Sequence, residues 1–138
     1  MYEVVVGSGT LRSAADTAVH FPHRWTAEGV TVDADFTGAH LLHLAAAGCV
    51  LNDLHREAAG LGIELAGARV AATGGFDTAT WTSTGITYTV ELDSAAPAAE
   101  LARLLRTVDE IAEIPRALRT GTTVSREDAD GQPPSVVR

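Results

Sequence analysis

The sequence predicts a single α+β domain, and three features point to it. Residues 30–36 and 86–92 alternate apolar with polar side chains, the period of a half-buried strand. Two long segments with helical character, one from Gly38 and one from Pro97, separate the strand-like stretches. The resulting order is strands, helix, strands, helix, strand, which is the layout of an α+β fold. A chain of 138 residues suffices for one domain with a proper core. We expect the domain to span residues 1–125, with a polar, flexible tail over 126–138.

Taken in order, Tyr2–Val6 and Thr17–Phe21 are short strand candidates, separated by turn material at Gly7-Ser8-Gly9. A longer strand follows, with Val30, Val32, Ala34 and Phe36 on one face and Thr31, Asp33 and Asp35 on the other. Thr37 is placed to cap a helix from about Gly38 to Ala59. Gly60 suits the residue after the helix end, with Leu61 folding back on it. The first half of this helix is apolar on nearly every side, so it should be buried in a core or an interface. Two further strands are expected at Ala68–Phe76 and Ile86–Leu92, joined through Asp77–Gly85. Ser94 and Pro97 open a second helix, along which Leu101, Leu104, Leu105, Val108, Ile111 and Ala112 recur at helical spacing. Pro115 interrupts it, Gly121 closes the segment, and Thr122–Val124 forms a last short strand.

Composition excludes several functional classes. The net charge of −8 disfavours nucleic acid, which requires a basic patch for its phosphates, and equally an anionic membrane surface. No apolar run approaches the roughly 20 residues needed to span a bilayer. The start, Met1-Tyr2-Glu3-Val4, lacks the charged and apolar regions of a signal peptide. Together with a single free cysteine, this gives a cytoplasmic, reducing location as the expectation.

That cysteine, Cys49, lies in the apolar run Leu41–Leu51. One thiol excludes an internal disulfide. It is therefore either a small buried hydrophobe or a nucleophile in a protected pocket. Asp53, one turn on, would raise the thiol pKa if close, and Arg56 lies two turns away. His20/His23 and His40/His43 form pairs spaced by three, but without a third ligand they do not build a metal site, and no cofactor is expected. Ser8 lacks a nucleophile elbow and reads as a turn residue. Gly74-Gly75 reads as a bulge or turn, and Trp25 and Trp81 as strand or loop packing.

A helix of the form Leu-Leu-x-x-Ala-Ala-x-x-Cys (Leu41–Cys49) is followed by Gly-Leu-Gly-Ile-Glu-Leu (Gly60–Leu65), two strands, and a helix ending in Ile114-Pro115-x-x-Leu118. Over roughly Val30–Val124 the chain resembles the OsmC/Ohr family of thiol-dependent hydroperoxide reductases. The resemblance implies an OsmC-like fold with antiparallel sheets and two long central helices. It also implies an intertwined homodimer with a mostly apolar pocket at the subunit interface. Family chemistry uses a peroxidatic cysteine, an activating arginine, a glutamate holding that arginine, and a resolving cysteine. Cys49 matches the first position, and Arg12 or Arg24 are candidates for the second. Ala39 stands at the glutamate position and Ile114 at that of the resolving cysteine. His40, at a site where the resemblance implies a family carboxylate, is a candidate acid/base. Two functions follow as expectations. The first is one-cysteine reduction of an organic hydroperoxide, with an external thiol as reductant. The second is a repurposed scaffold binding or transforming a small hydrophobic metabolite without peroxidase chemistry.

Overall fold

The computed structural model describes residues 1–128 and the backbone of 135–137. Its core is one seven-stranded sheet with helices against it. The strands are β1 (Tyr2–Gly9), β2 (Val19–Phe21), β3 (Val30–Asp33), β4 (Gly67–Phe76), β5 (Ser83–Asp93), β6 (Val124–Arg126) and β7 (Ser135–Val137). The helices are α1 (Gly38–Leu61), α2 (Ala98–Ile111) and α3 (Glu113–Leu118). The sheet order is β2-β3-β1-β4-β5-β6, with β7 also pairing β5. Every pairing is antiparallel except β5 with β6 and with β7, which are parallel.

Alternation decides which face is covered. Val4, Val6 and Ser8 of β1, Ala68, Val70 and Ala72 of β4, and Ile86, Tyr88, Val90 and Leu92 of β5 are buried. They meet Ala47, Val50, Leu51, Leu54 and Ala58 of α1 and Leu101, Leu104, Leu105 and Val108 of α2 in one core. Leu54, with no exposed surface, sits at the centre of that layer. Arg119 ties the C-terminal pieces together, donating to the Asp109 and Val124 carbonyls at 3.1 and 2.9 Å. Tyr88 donates a short hydrogen bond to Asp109 from the sheet.

Four sequence expectations shift. Gly7-Ser8-Gly9 is the end of β1, because Ser8 faces inward and finds a polar partner there. The strand expected to reach Phe36 ends at Asp33, and Phe36 is 89% exposed. Helix α1 runs past Gly60 to Gly62, which takes the left-handed conformation at φ 70°. There the Ile63 N–H bonds the Ala58 carbonyl at 2.9 Å and the Ile63 side chain enters the core, whereas Leu61 stays exposed; core burial of the following residue selects the second glycine. The last strand lies at Val124–Arg126 rather than 122–124.

The second helix breaks at Ala112, whose ψ is 119°. An unbroken helix would set the Pro115 ring against the carbonyl of residue 111. Restarting at Glu113 puts Pro115 in the first turn of α3, where a missing N–H costs nothing.

Candidate functional site

Helix α1 begins on a side-chain cap, the Thr37 hydroxyl accepting the His40 N–H at 3.1 Å. Cys49 follows near mid-helix, half-buried, on the side of α1 that meets α3. The restart of the chain at Ala112 delivers Glu113 and the Ile114 backbone to it. The Cys49 thiol, the Asp53 carboxyl and the Glu113 carboxyl all lie within 4.8 Å of one another. Asp53 is 1% exposed. Its Oδ2 has no aligned hydrogen-bond donor, although Arg56 Nη2 stands 3.1 Å away as an ion-pair partner.

The electrostatics follow from this company. Burial pushes the Cys49 thiol up to about 11, with the Asp53 and Glu113 charges adding to the rise and the Ile114 backbone opposing it. Burial also raises the Asp53 carboxyl, partly countered by Arg56. The exposed Glu113 is lowered, chiefly by its own backbone N–H and by hydrogen bonds from Cys49 and Asp53. Of the two carboxyls, burial favours the neutral form of Asp53, whereas Glu113 is held toward its charged form.

Among the described residues, no arginine acts on the thiol. Arg12 donates to the Gly9 carbonyl at 3.1 Å in the turn after β1. Arg24 lies over the Trp25 ring, 5.7 Å from its centroid. His40 pairs its Nδ1 with the Thr37 hydroxyl at 2.6 Å and packs edge-on against Tyr2. Nine residues from Cys49, it is about 13 Å away along the helix axis. Glu113 is not among the residues expected from sequence; its position immediately before Ile114-Pro115 is the one local signal for it.

A second polar group is buried behind α1. His55 Nε2 and the Ser8 hydroxyl are 2.7 Å apart, and the His55 ring meets the His23 ring edge-on at 5.4 Å. His23 in turn bonds Thr26 and Asn52 at 2.8 and 2.9 Å, so it serves as a bracket between loop and helix. Burial, with His23 nearby, lowers His55 to about 4. A histidine held neutral in the fold adds stability above its unfolded pKa of about 6.5, and that stability is lost as pH falls from there to 4. The shift corresponds to at most about 3 kcal/mol, and about 2 after solvent screening. The urea midpoint should therefore fall between pH 6.5 and 4, and His55→Gln, which cannot titrate, should flatten that slope.

Beside His23 is an apolar recess of about 250 Å³ lined by Val6, Phe21, Val32, Leu44 and Leu51, with Gly48 and Asn52 at its helical side. Counting at 100° per residue, Cys49 points about a third of a turn away from the centre of this lining. The thiol and the apolar recess occupy different flanks of α1.

Fold and site together define an α+β protein with one half-buried thiol on its longest helix. No helix among the described residues is long and apolar enough to cross a membrane. The sequence pattern described as OsmC-like protein matches residues 31–127, and the chain belongs to that family. No curated protein matches it. Among solved structures, an OsmC-like protein from Mycoplasma pneumoniae is similar at 13% identity and TM-score 0.64, over 100% of this chain and 98% of that one. The organic hydroperoxide resistance protein OhrB of Bacillus subtilis is similar at 16% identity and TM-score 0.52, over 69% and 71% of the two chains. An organic hydroperoxide resistance protein OsmC from Legionella pneumophila gives 13% identity and TM-score 0.53 over 91% and 100%. At such identities the likeness is one of fold.

Proposed function

We propose that this chain is a one-cysteine, thiol-dependent organic hydroperoxide reductase acting through Cys49. The observation that carries the reading is the half-buried thiol, with the Glu113 carboxyl within 4.8 Å, at the helix position that matches the family nucleophile. The Cys49 sulfur attacks the terminal oxygen of the hydroperoxide. The O–O bond breaks, the alcohol leaves, and Cys49 becomes a sulfenic acid. Glu113 takes the thiol proton as the S–O bond forms and returns it to the departing alkoxide. An external thiol then condenses with the sulfenic acid, releasing water, and a second thiol frees Cys49 as a disulfide of the reductant forms. Cys49 is the chain's only cysteine, so the reductant must come from outside the chain.

The protein works in the cytoplasm as a homodimer. In support, Val19, Phe21, Phe36 and Leu41 remain exposed on one chain, a surface that favours burial against a second copy. The family's arginine role can fall to Arg12 or Arg24, and an acid/base role to His40, only across that dimer. In light scattering the particle should have twice the chain mass of 14.4 kDa.

Stoichiometric cumene hydroperoxide should add one oxygen to the wild-type chain by intact mass. In Cys49→Ser, peroxide consumption with excess thiol should vanish. Persistent consumption in that variant would remove the thiol from the mechanism. The second reading, ligand binding without thiol chemistry, draws on the apolar recess at Leu44 and Leu51; binding of a small hydrophobic probe there should survive Cys49→Ala.

A further inference from the structure

Cys49, Asp53 and Glu113 come from two helices, and their donor atoms lie within 4.8 Å of one another. Thiolate and carboxylate oxygens are both zinc ligands. Donors around a tetrahedral zinc ion are roughly 3.3–3.7 Å apart, so side-chain adjustments of no more than about 1.5 Å close the trio on an ion. Asp53 adds a separate sign. Its side chain is 2% exposed, yet Oδ2 accepts no hydrogen bond. Arg56, itself shared with Glu57, gives this oxygen charge compensation without an aligned N–H. Buried carboxylate oxygens are normally bonded or ligate a metal.

The local charge also suits a cation. A peroxidatic thiol calls for a positive neighbour, whereas here both close neighbours are acidic. Two carboxyls beside a thiol are a donor set for a divalent cation. From this geometry we infer that Cys49, Asp53 and Glu113 form a binding site for a borderline-soft divalent cation of the zinc class. Three protein ligands leave the fourth position to water. A bound ion holds Cys49 as thiolate and blocks its sulfur from peroxide, so metal occupancy and thiol chemistry exclude each other at this site.

The test titrates the reduced, full-length protein anaerobically with Co²⁺, a spectroscopic substitute for zinc. The expected result is one Co²⁺ per chain, with a thiolate-to-cobalt charge-transfer band that Zn²⁺ removes. Cys49→Ser should abolish the band. Asp53→Asn and Glu113→Gln should each weaken binding at least tenfold; Glu113→Gln changes an exposed side chain, so it serves even if Asp53→Asn fails to fold. No saturable band at millimolar Co²⁺, or undiminished affinity in Glu113→Gln, would overturn the site. The inference does not depend on the peroxidase reading. Wild-type protein that binds cobalt through sulfur but ignores cumene hydroperoxide would sink only the peroxidase, and the reverse outcome would sink only the metal site.

Discussion

Cys49 is expected to alkylate slowly at neutral pH and to speed up roughly tenfold per pH unit between 7 and 10. The cause is its thiol, pushed up to about 11 by burial and by the Asp53 and Glu113 charges. Against a free cysteine near 8.5, that shift cuts the thiolate fraction about 300-fold at pH 7. The more basic thiolate is intrinsically about tenfold more nucleophilic, which leaves a net deficit of about 30-fold. Iodoacetamide rates measured by intact mass from pH 6 to 10.5 give the profile. A midpoint below 8.5 would overturn this reading, and would place a cation from a second subunit at the thiol. Under the proposed peroxidase mechanism the same protein should behave differently with cumene hydroperoxide, because there Glu113 would remove the proton during attack. The peroxidase reading requires a hydroperoxide rate above that of free cysteine at pH 7, alongside the slow alkylation.

Gly74→Ala is expected to destabilise the fold by about 2–3 kcal/mol. A Cβ at residue 74 would lie 2.3 Å from His43 Nε2 and 2.6 Å from the Gly85 carbonyl oxygen. Neither neighbour can yield cheaply. His43 has no exposed surface, its Nδ1 is fixed to the Ala39 carbonyl at 2.7 Å, and Tyr2 and Phe76 flank its ring. The Gly85 oxygen belongs to β5 opposite β4. Urea unfolding should show a lower midpoint with an unchanged slope. Gly75→Ala, whose added carbon would meet nothing closer than the Thr84 hydroxyl at 3.5 Å, is the control and should stay within about 1 kcal/mol of wild type. Equal stability of Gly74→Ala and wild type would mean that His43 is not seated on the sheet.

The helices were legible in the sequence because their signals are local. Thr37 marks the start of α1, and the Leu101–Val108 spacing marks the buried stripe of α2. The bulge at Gly74-Gly75 was legible too, and pairing between β4 and β5 shifts there. Ser8 was misread because glycines on both sides imitate a turn; only the approach of His55 from α1 shows why a polar residue sits inward on β1. Glu113 was missed for a related reason. Its role depends on the break at Ala112 swinging α3 against Cys49, a contact 64 residues away along the chain.

By itself the sequence determined the α+β class, the two long helices, the family and the solitary thiol, since patterning, capping and motif spacing are properties of neighbouring residues. Only the tertiary structure decided what surrounds that thiol. Helix packing places Asp53 and Glu113 beside Cys49 and leaves Arg12 and Arg24 engaged elsewhere. The sign of the field at a side chain is a sum over groups distant in sequence, and it exists only once the chain has folded.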